Sequence, residues 1–396
     1  MIYFIYSLIL LTTFLFLGTT SESQLVQTLV NYYPKEASFF VIGSLIIAFT
    51  FIAKESGKRL RNKWLFAFLT FSIFQFFLYL YMPLVGVYKE GKFFINFWTV
   101  RPYINIFTGI LLIKVLAEHL KNKDWVKVFK FLCWCGFIIS IYSILQFLGI
   151  DGIGSHFEKN FINGNPERKQ LMTTFLTHHT LTAAYVAMTA PLCLLFKDLR
   201  YKVFLGVMAC SLILMDSLVG IVGFLVSMFL YLLLTKKFRI LMLFIILSTA
   251  GLLVLNNQYQ NFLSDNGRFG LWKEVTVDVL KNKPFHGFGH GSFSEKYNSP
   301  SAKLLFAHND YIQELNEGGL PGFIILGFWL WNMLCRGLIN VTKQWFILDI
   351  VILCSFVCTC VIAFGSFPFH YAPLAVIGIL YIAYIESQNI NYRGLV

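Results

Sequence analysis

The chain has 396 residues, of which 57% are hydrophobic, 18% aromatic and only 13% charged. Soluble domains carry roughly 25% charged residues, so this composition excludes a water-soluble globule, a disordered chain and a disulfide scaffold. The formal net charge of +12 is no argument for nucleic acid, because in a membrane protein the placement of Lys and Arg matters more than their sum.

In chain order, apolar runs fall near 1–18, 38–53, 64–85, 103–118, 128–149, 171–196, 201–215, 217–234, 239–256, 319–335, 345–366 and 371–386. Each is continuous, where barrel strands would alternate, so the chain reads as an all-α integral membrane protein with about 12 transmembrane helices. The run at 1–18 lacks a basic flank and a small-residue cleavage site, and is read as a retained span. The short basic connections share one side of the membrane: 54–63, 114–130, 197–202, 236–239 and 336–343, with Arg393 at the end. The positive-inside rule makes that side cytoplasmic, with both termini on it. Two longer connections, 150–170 and 257–318, then lie outside, the second before helix 10. No repeat divides the chain, so one polytopic domain over 1–396 is expected. All eight cysteines sit in or beside apolar runs and read as packing residues, because the C-x-C pairs Cys133/Cys135 and Cys358/Cys360 point about 200° apart on a helix.

The external loops carry the chemistry. Arg168 and Lys169 close the first loop and suit an anionic contact at the mouth of the sixth run. That run holds Thr173, Thr174, Thr177, His178, His179, Thr180 and Thr182. Polar groups at such depth face a bundle interior or a wet cavity, so this helix is expected to line a groove. In 257–318, Arg268 suits bidentate phosphate binding, against the plainer reading of a snorkelling anchor. His308 suits proton abstraction from a hydroxyl, with Asp310 or a backbone carbonyl fixing its tautomer, against the plainer reading of a satisfied surface histidine. Asp310, Glu314 and Glu317 share one helical face, expected to meet solvent rather than a divalent cation. Gly287, Gly289 and Gly291 lack the strand and helix context of a phosphate cradle, so a flexible turn is expected.

These motifs together resemble the O-antigen ligase and polymerase superfamily: Arg268…Trp272, then Pro284-x-x-Gly287-x-Gly289-x-Gly291-x-Phe293. His308-Asn309-Asp310-Tyr311-x-Gln313-x-x-x-Glu317-x-Gly319-x-x-Gly322 follows, and Phe367-Pro368-Phe369…Pro373 ends the series. The resemblance implies a bacterial inner-membrane enzyme with a periplasmic site. It would move a glycan from an undecaprenyl diphosphate carrier to an acceptor hydroxyl, lipid A-core for a ligase or another repeat unit for a polymerase. His308 would be the essential histidine and Arg268 the diphosphate arginine, helped by Arg168, Lys169 and Lys273, with Asn309, Asp310 and Gln313 in support. No cofactor and no metal are expected, since paired cations stabilise a departing diphosphate. One departure stands out: Leu218 occupies the position where many members carry a second arginine. Against these readings stands a 12-helix secondary transporter, which would place ionisable groups near the bilayer midplane in repeated halves.

Overall fold

The structure, a computed structural model, describes residues 2–14, 97–150, 174–176, 178–258, 268–289, 292–297, 307–344 and 346–393. The expected runs near 38–53 and 64–85, with Arg168 and Lys169, lie outside the described residues.

All regular structure among the described residues is helical. The α-helices are α1 (Ile2–Phe14), α2 (Phe97–His119), α3 (Asn122–Phe147), α4 (His179–Thr189), α5 (Leu199–Leu214), α6 (Leu218–Leu234), α7 (Phe238–Gln258), α8 (Arg268–Asn282), α9 (Phe293–Lys296), α10 (Asp310–Gln344), α11 (Ile347–Ile362) and α12 (Ala372–Arg393). Two stretches, Asn122–Phe147 and Asp310–Lys343, are long and apolar enough to cross a membrane, and six more helices are apolar but shorter. This set fits a membrane-embedded chain.

In lipid, helices associate through close packing and internal polar bonds rather than through expulsion of water. The core shows both. α11 packs along α6 and α12, and α12 along α2. Gly220 and Gly223 let α6 approach closely: a Cβ at Gly220 would come within 2.9 Å of Ala183 on α4, and one at Gly223 within 2.8 Å of Ile362 on α11. Core hydroxyls bond to nearby carbonyls, as Ser140 does to Gly136 (2.8 Å) and Thr359 to Ser355 (3.0 Å). All eight cysteines are free thiols, and Cys133, Cys135, Cys193, Cys354 and Cys358 are buried in the packing role expected of them.

The sixth run differs from its expectation. Thr174 and His178 precede the helix: Thr174–Leu176 is a 3-10 turn, and α4 begins only at His179. Pro191 then converts α4 to a 3-10 segment over Ala190–Leu195. The hydroxyl and imidazole groups therefore gather at one mouth of the packed helices.

α10 is two helices in one. At Gly319 the backbone takes φ 64 and ψ −166, a conformation almost confined to glycine, with Pro321 just beyond it. A short acidic helix, 310–318, precedes this break and an apolar one, 320–344, follows it.

Candidate functional site at the 363–371 connection

Three segments that carry candidate residues dock on one short connection, residues 363–371, between α11 and α12. Arg268, the first residue of α8, donates from Nη1 to the Gly365 carbonyl (3.0 Å). Asp310 donates its backbone N–H to the Ala363 carbonyl (2.9 Å). Tyr371 donates its hydroxyl to the Leu176 carbonyl (3.0 Å), which ties the stretch before His178 to the same place. Tyr311 adds a bond from its hydroxyl to the Cys360 carbonyl (3.0 Å).

His308 sits at the centre of this arrangement and is half-buried. Its φ is +53, the left-handed region that a residue with a Cβ occupies only when its surroundings hold it there. The neighbours do hold it. Ala307 is fixed at both ends: its N–H donates to Gln313 Oε1 (2.8 Å), and its carbonyl accepts from Trp272 Nε1 (2.8 Å). On the other side Asn309 caps α10, its Oδ1 accepting from the N–H groups of Tyr311 (3.0 Å) and Ile312 (3.1 Å). That is the bonding expected of an N-cap asparagine. The His308 ring packs edge-on against Phe367, with centroids 5.2 Å apart.

Burial, then the positive field of Arg268, then His178, lowers the His308 pKa to about 4. The ring is therefore neutral at pH 7. His178 caps α4 through Nδ1, which accepts from the Thr180 backbone N–H (3.2 Å), so its neutral form carries the proton on Nε2. Arg268, His308 and His178 thus form one electrostatic neighbourhood. Sequence reasoning singled out the first two; it read His178 only as part of a polar helix.

Asp310 does not serve the role expected of it as the tautomer anchor of His308. Its Oδ2 accepts from the Phe369 N–H (3.0 Å), and its Oδ1 meets Nδ1 of His370 (2.5 Å). Nor does the acidic face meet solvent: Asp310, Glu314 and Glu317 are 1%, 4% and 1% exposed. The reason is that 310–318 lies against α8 and the 363–371 connection, so the face read as solvated is an internal contact. His370 stands between two of these carboxylates, with Nε2 3.9 Å from Glu317 Oε2. Sequence reasoning missed His370. Its one available signal was its place directly after Phe367-Pro368-Phe369, in a connection too short to be lipid-facing.

Gln313 is buried and bridges Ala307 to Glu317, donating from Nε2 to Glu317 Oε1 (2.5 Å). Lys273 is exposed, about 140° round α8 from Arg268 at 100° per residue. Leu218 begins α6 and packs against the apolar core, so no cation stands at that position.

The glycine-rich turn is built for contact, not for a phosphate and not for freedom. Phe288 N–H donates to the Asn316 carbonyl (2.7 Å), Gly289 N–H to the Glu317 carbonyl (3.0 Å), and Leu320 N–H to the Pro284 carbonyl (2.8 Å). At Gly287, with φ +60, a Cβ would lie 2.5 Å from the Asn316 oxygen. Bare backbone is what lets this turn seal the break in α10. Beyond it, Tyr297 donates to Asp278 (2.8 Å) and Lys296 pairs with the same carboxylate, pinning α9 to α8.

No curated protein matches the chain. Residues 203–327 match the family model described as O-antigen ligase, a stretch that includes Arg268 and His308 and ends before Phe367. With the motifs at 268–272, 284–293 and 308–322, that match supports the O-antigen ligase-like superfamily and a function of the O-antigen ligase type.

Proposed function

We propose that the protein is a membrane glycosyltransferase that moves O-antigen, or a similar glycan, from undecaprenyl diphosphate to a hydroxyl of lipid A-core. The site faces the periplasm, with both termini in the cytoplasm. The observation that carries the proposal is the joint docking of Arg268 and His308 on the 363–371 connection, with His308 held neutral in a left-handed conformation.

Arg268 holds the diphosphate. A guanidinium carries five N–H donors, so the bond to Gly365 aims the fork without exhausting it. His308 takes the proton of the acceptor hydroxyl while that oxygen attacks the anomeric carbon, and the carbon–phosphate oxygen bond breaks as lipid diphosphate departs. A base with a pKa near 4 is weak for this step at pH 7. The donor supplies a partial remedy: burial, the largest cause, remains, but a diphosphate against Arg268 offsets the positive field that further depresses His308, so the imidazole gains basicity when substrate is bound. Arg168 and Lys169, outside the described residues, are the candidates to supply the positive charge that Leu218 does not.

The test uses purified protein in liposomes with undecaprenyl-diphosphate-linked glycan and lipid A-core. Glycan-capped core marks a ligase, and longer glycan on the lipid carrier marks a polymerase. His308→Ala and Arg268→Ala are expected to lower turnover by about 10² or more. A His308→Ala protein within a few-fold of the parent removes the proposed base. Flux of the glycan lipid without any transfer replaces the enzyme with a transporter.

A further inference from the structure

We propose that His370 is a positioning residue for His308, acting as a buried cation that fixes both ends of the strained His308 turn. The inference rests on the proposed glycan transfer only for its kinetic arm.

Two paths leave His370, one through a hydrogen bond and one through an ion-pair contact at 3.9 Å. Through Nδ1 it meets Asp310, whose other oxygen accepts from the Phe369 N–H, and Asp310 lies two residues after His308. Through Nε2 it faces Glu317, which accepts from Gln313; Gln313 in turn accepts from the N–H of Ala307, the residue just before His308. The second path continues into α8, because the Ala307 carbonyl accepts from Trp272, one turn beyond Arg268. One side chain therefore governs the residues on both sides of His308 and reaches the helix that carries the guanidinium.

The chemistry of the clamp favours a cation. Asp310 and Glu317 are each about 1% exposed and burial raises the Asp310 pKa, so a positive group between the two is what lets both carboxylates stay ionised. Burial alone would lower the His370 pKa, but the Asp310 and Glu317 carboxylates outweigh it and raise the value well above that of an ordinary imidazole. Asp310 and Glu317 both come from α10. A neutral substitute leaves those carboxylates repelling each other across the start of the helix. The φ +53 turn at His308 is then no longer over-determined.

The test measures His308 directly. Full-length protein in nanodiscs is treated with diethylpyrocarbonate, and carbethoxylation at His308 is followed by peptide mass spectrometry. In His370→Ala the rate at His308 is expected to rise about fivefold as the turn opens. His370→Lys, which restores a cation between the carboxylates, is expected to return it to within about twofold of the parent. In the transfer assay, kcat of His370→Ala is expected to fall about tenfold or more with KM for the donor little changed, because misplacement and not binding is at fault. An unchanged His308 rate in folded His370→Ala overturns the proposal, and so does a His370→Lys protein that behaves like His370→Ala. If His370→Ala does not fold, His370→Gln, a neutral side chain of similar size, takes its place with the same expected acceleration, and a parent-like rate there overturns the proposal equally. If the parent transfers no glycan, the proposed function fails while the carbethoxylation result still decides the role of His370.

Discussion

Gly319→Ala tests the packing logic of the site without touching a candidate catalytic group. At φ 64 and ψ −166 an alanine pays a backbone penalty of about 1–3 kcal/mol. Its Cβ would also stand 2.7 Å from the Gly287 nitrogen, 2.8 Å from the Pro284 oxygen and 2.9 Å from the His286 nitrogen. All three are main-chain atoms, so no rotamer change relieves the clash and the 284–289 turn must lift. That motion puts three bonds at risk, from Phe288, Gly289 and Leu320, at about 1 kcal/mol each. The expected loss is therefore about 4–6 kcal/mol. Two measurements check it: the thermal midpoint of detergent-purified protein, and the rate of tryptic cleavage after Lys281, which rises as the turn lifts. Gly327→Ala is the control, since no atom lies within 4 Å of its added Cβ. A Gly319→Ala protein as stable and as protease-resistant as that control would refute the docked-turn reasoning.

Three further predictions follow from the titrating and ionic groups. The folded His308 pKa is depressed to about 4 from 6.5, so the unfolded chain binds the extra proton first and stability falls as pH drops from 6.5 towards 4; in His308→Gln, thermal midpoints across that window should show a shallower decline. His370 has the opposite sign, because its folded pKa is raised: its contribution is complete below the unfolded value and is lost as pH climbs through the folded one, so His370→Lys should extend stability to higher pH in the same melts. On α10 and α12, Arg336 donates to Glu386 (2.6 Å) with both side chains largely covered. Arg336→Met, which removes the cation facing a largely covered carboxylate, should cost a few kcal/mol (about 3), whereas Arg336→Met with Glu386→Leu should recover part of it in urea unfolding.

Much of the helical architecture is legible in hydropathy, because most of the described apolar helices coincide with continuous apolar runs of the sequence. Arg268 and His308 are legible too, since a cation and a lone imidazole stand out in an otherwise apolar chain. The acidic face of 310–317 was misread. Periodicity shows that Asp310, Glu314 and Glu317 share a side but not what covers it, and the cover comes from residues about sixty positions later. His370 was missed for the same reason: its partners are distant in sequence, and a single histidine in a short turn carries no local pattern. The glycine turn sat between the two cases. Its lack of strand context correctly excluded a phosphate cradle, while the break at Gly319 that it seals became visible only in three dimensions.

The 363–371 connection is gripped largely through its main chain: the carbonyls of Ala363 and Gly365 and the amide of Phe369 receive Asp310 and Arg268. Peptide groups are common to every residue type. Inserting or deleting one residue therefore shifts each of these anchors to the wrong partner, even where the side chains that matter here, those of Phe367, His370 and Tyr371, are kept. The length of the link between the last two helices is thus a requirement of the site in its own right.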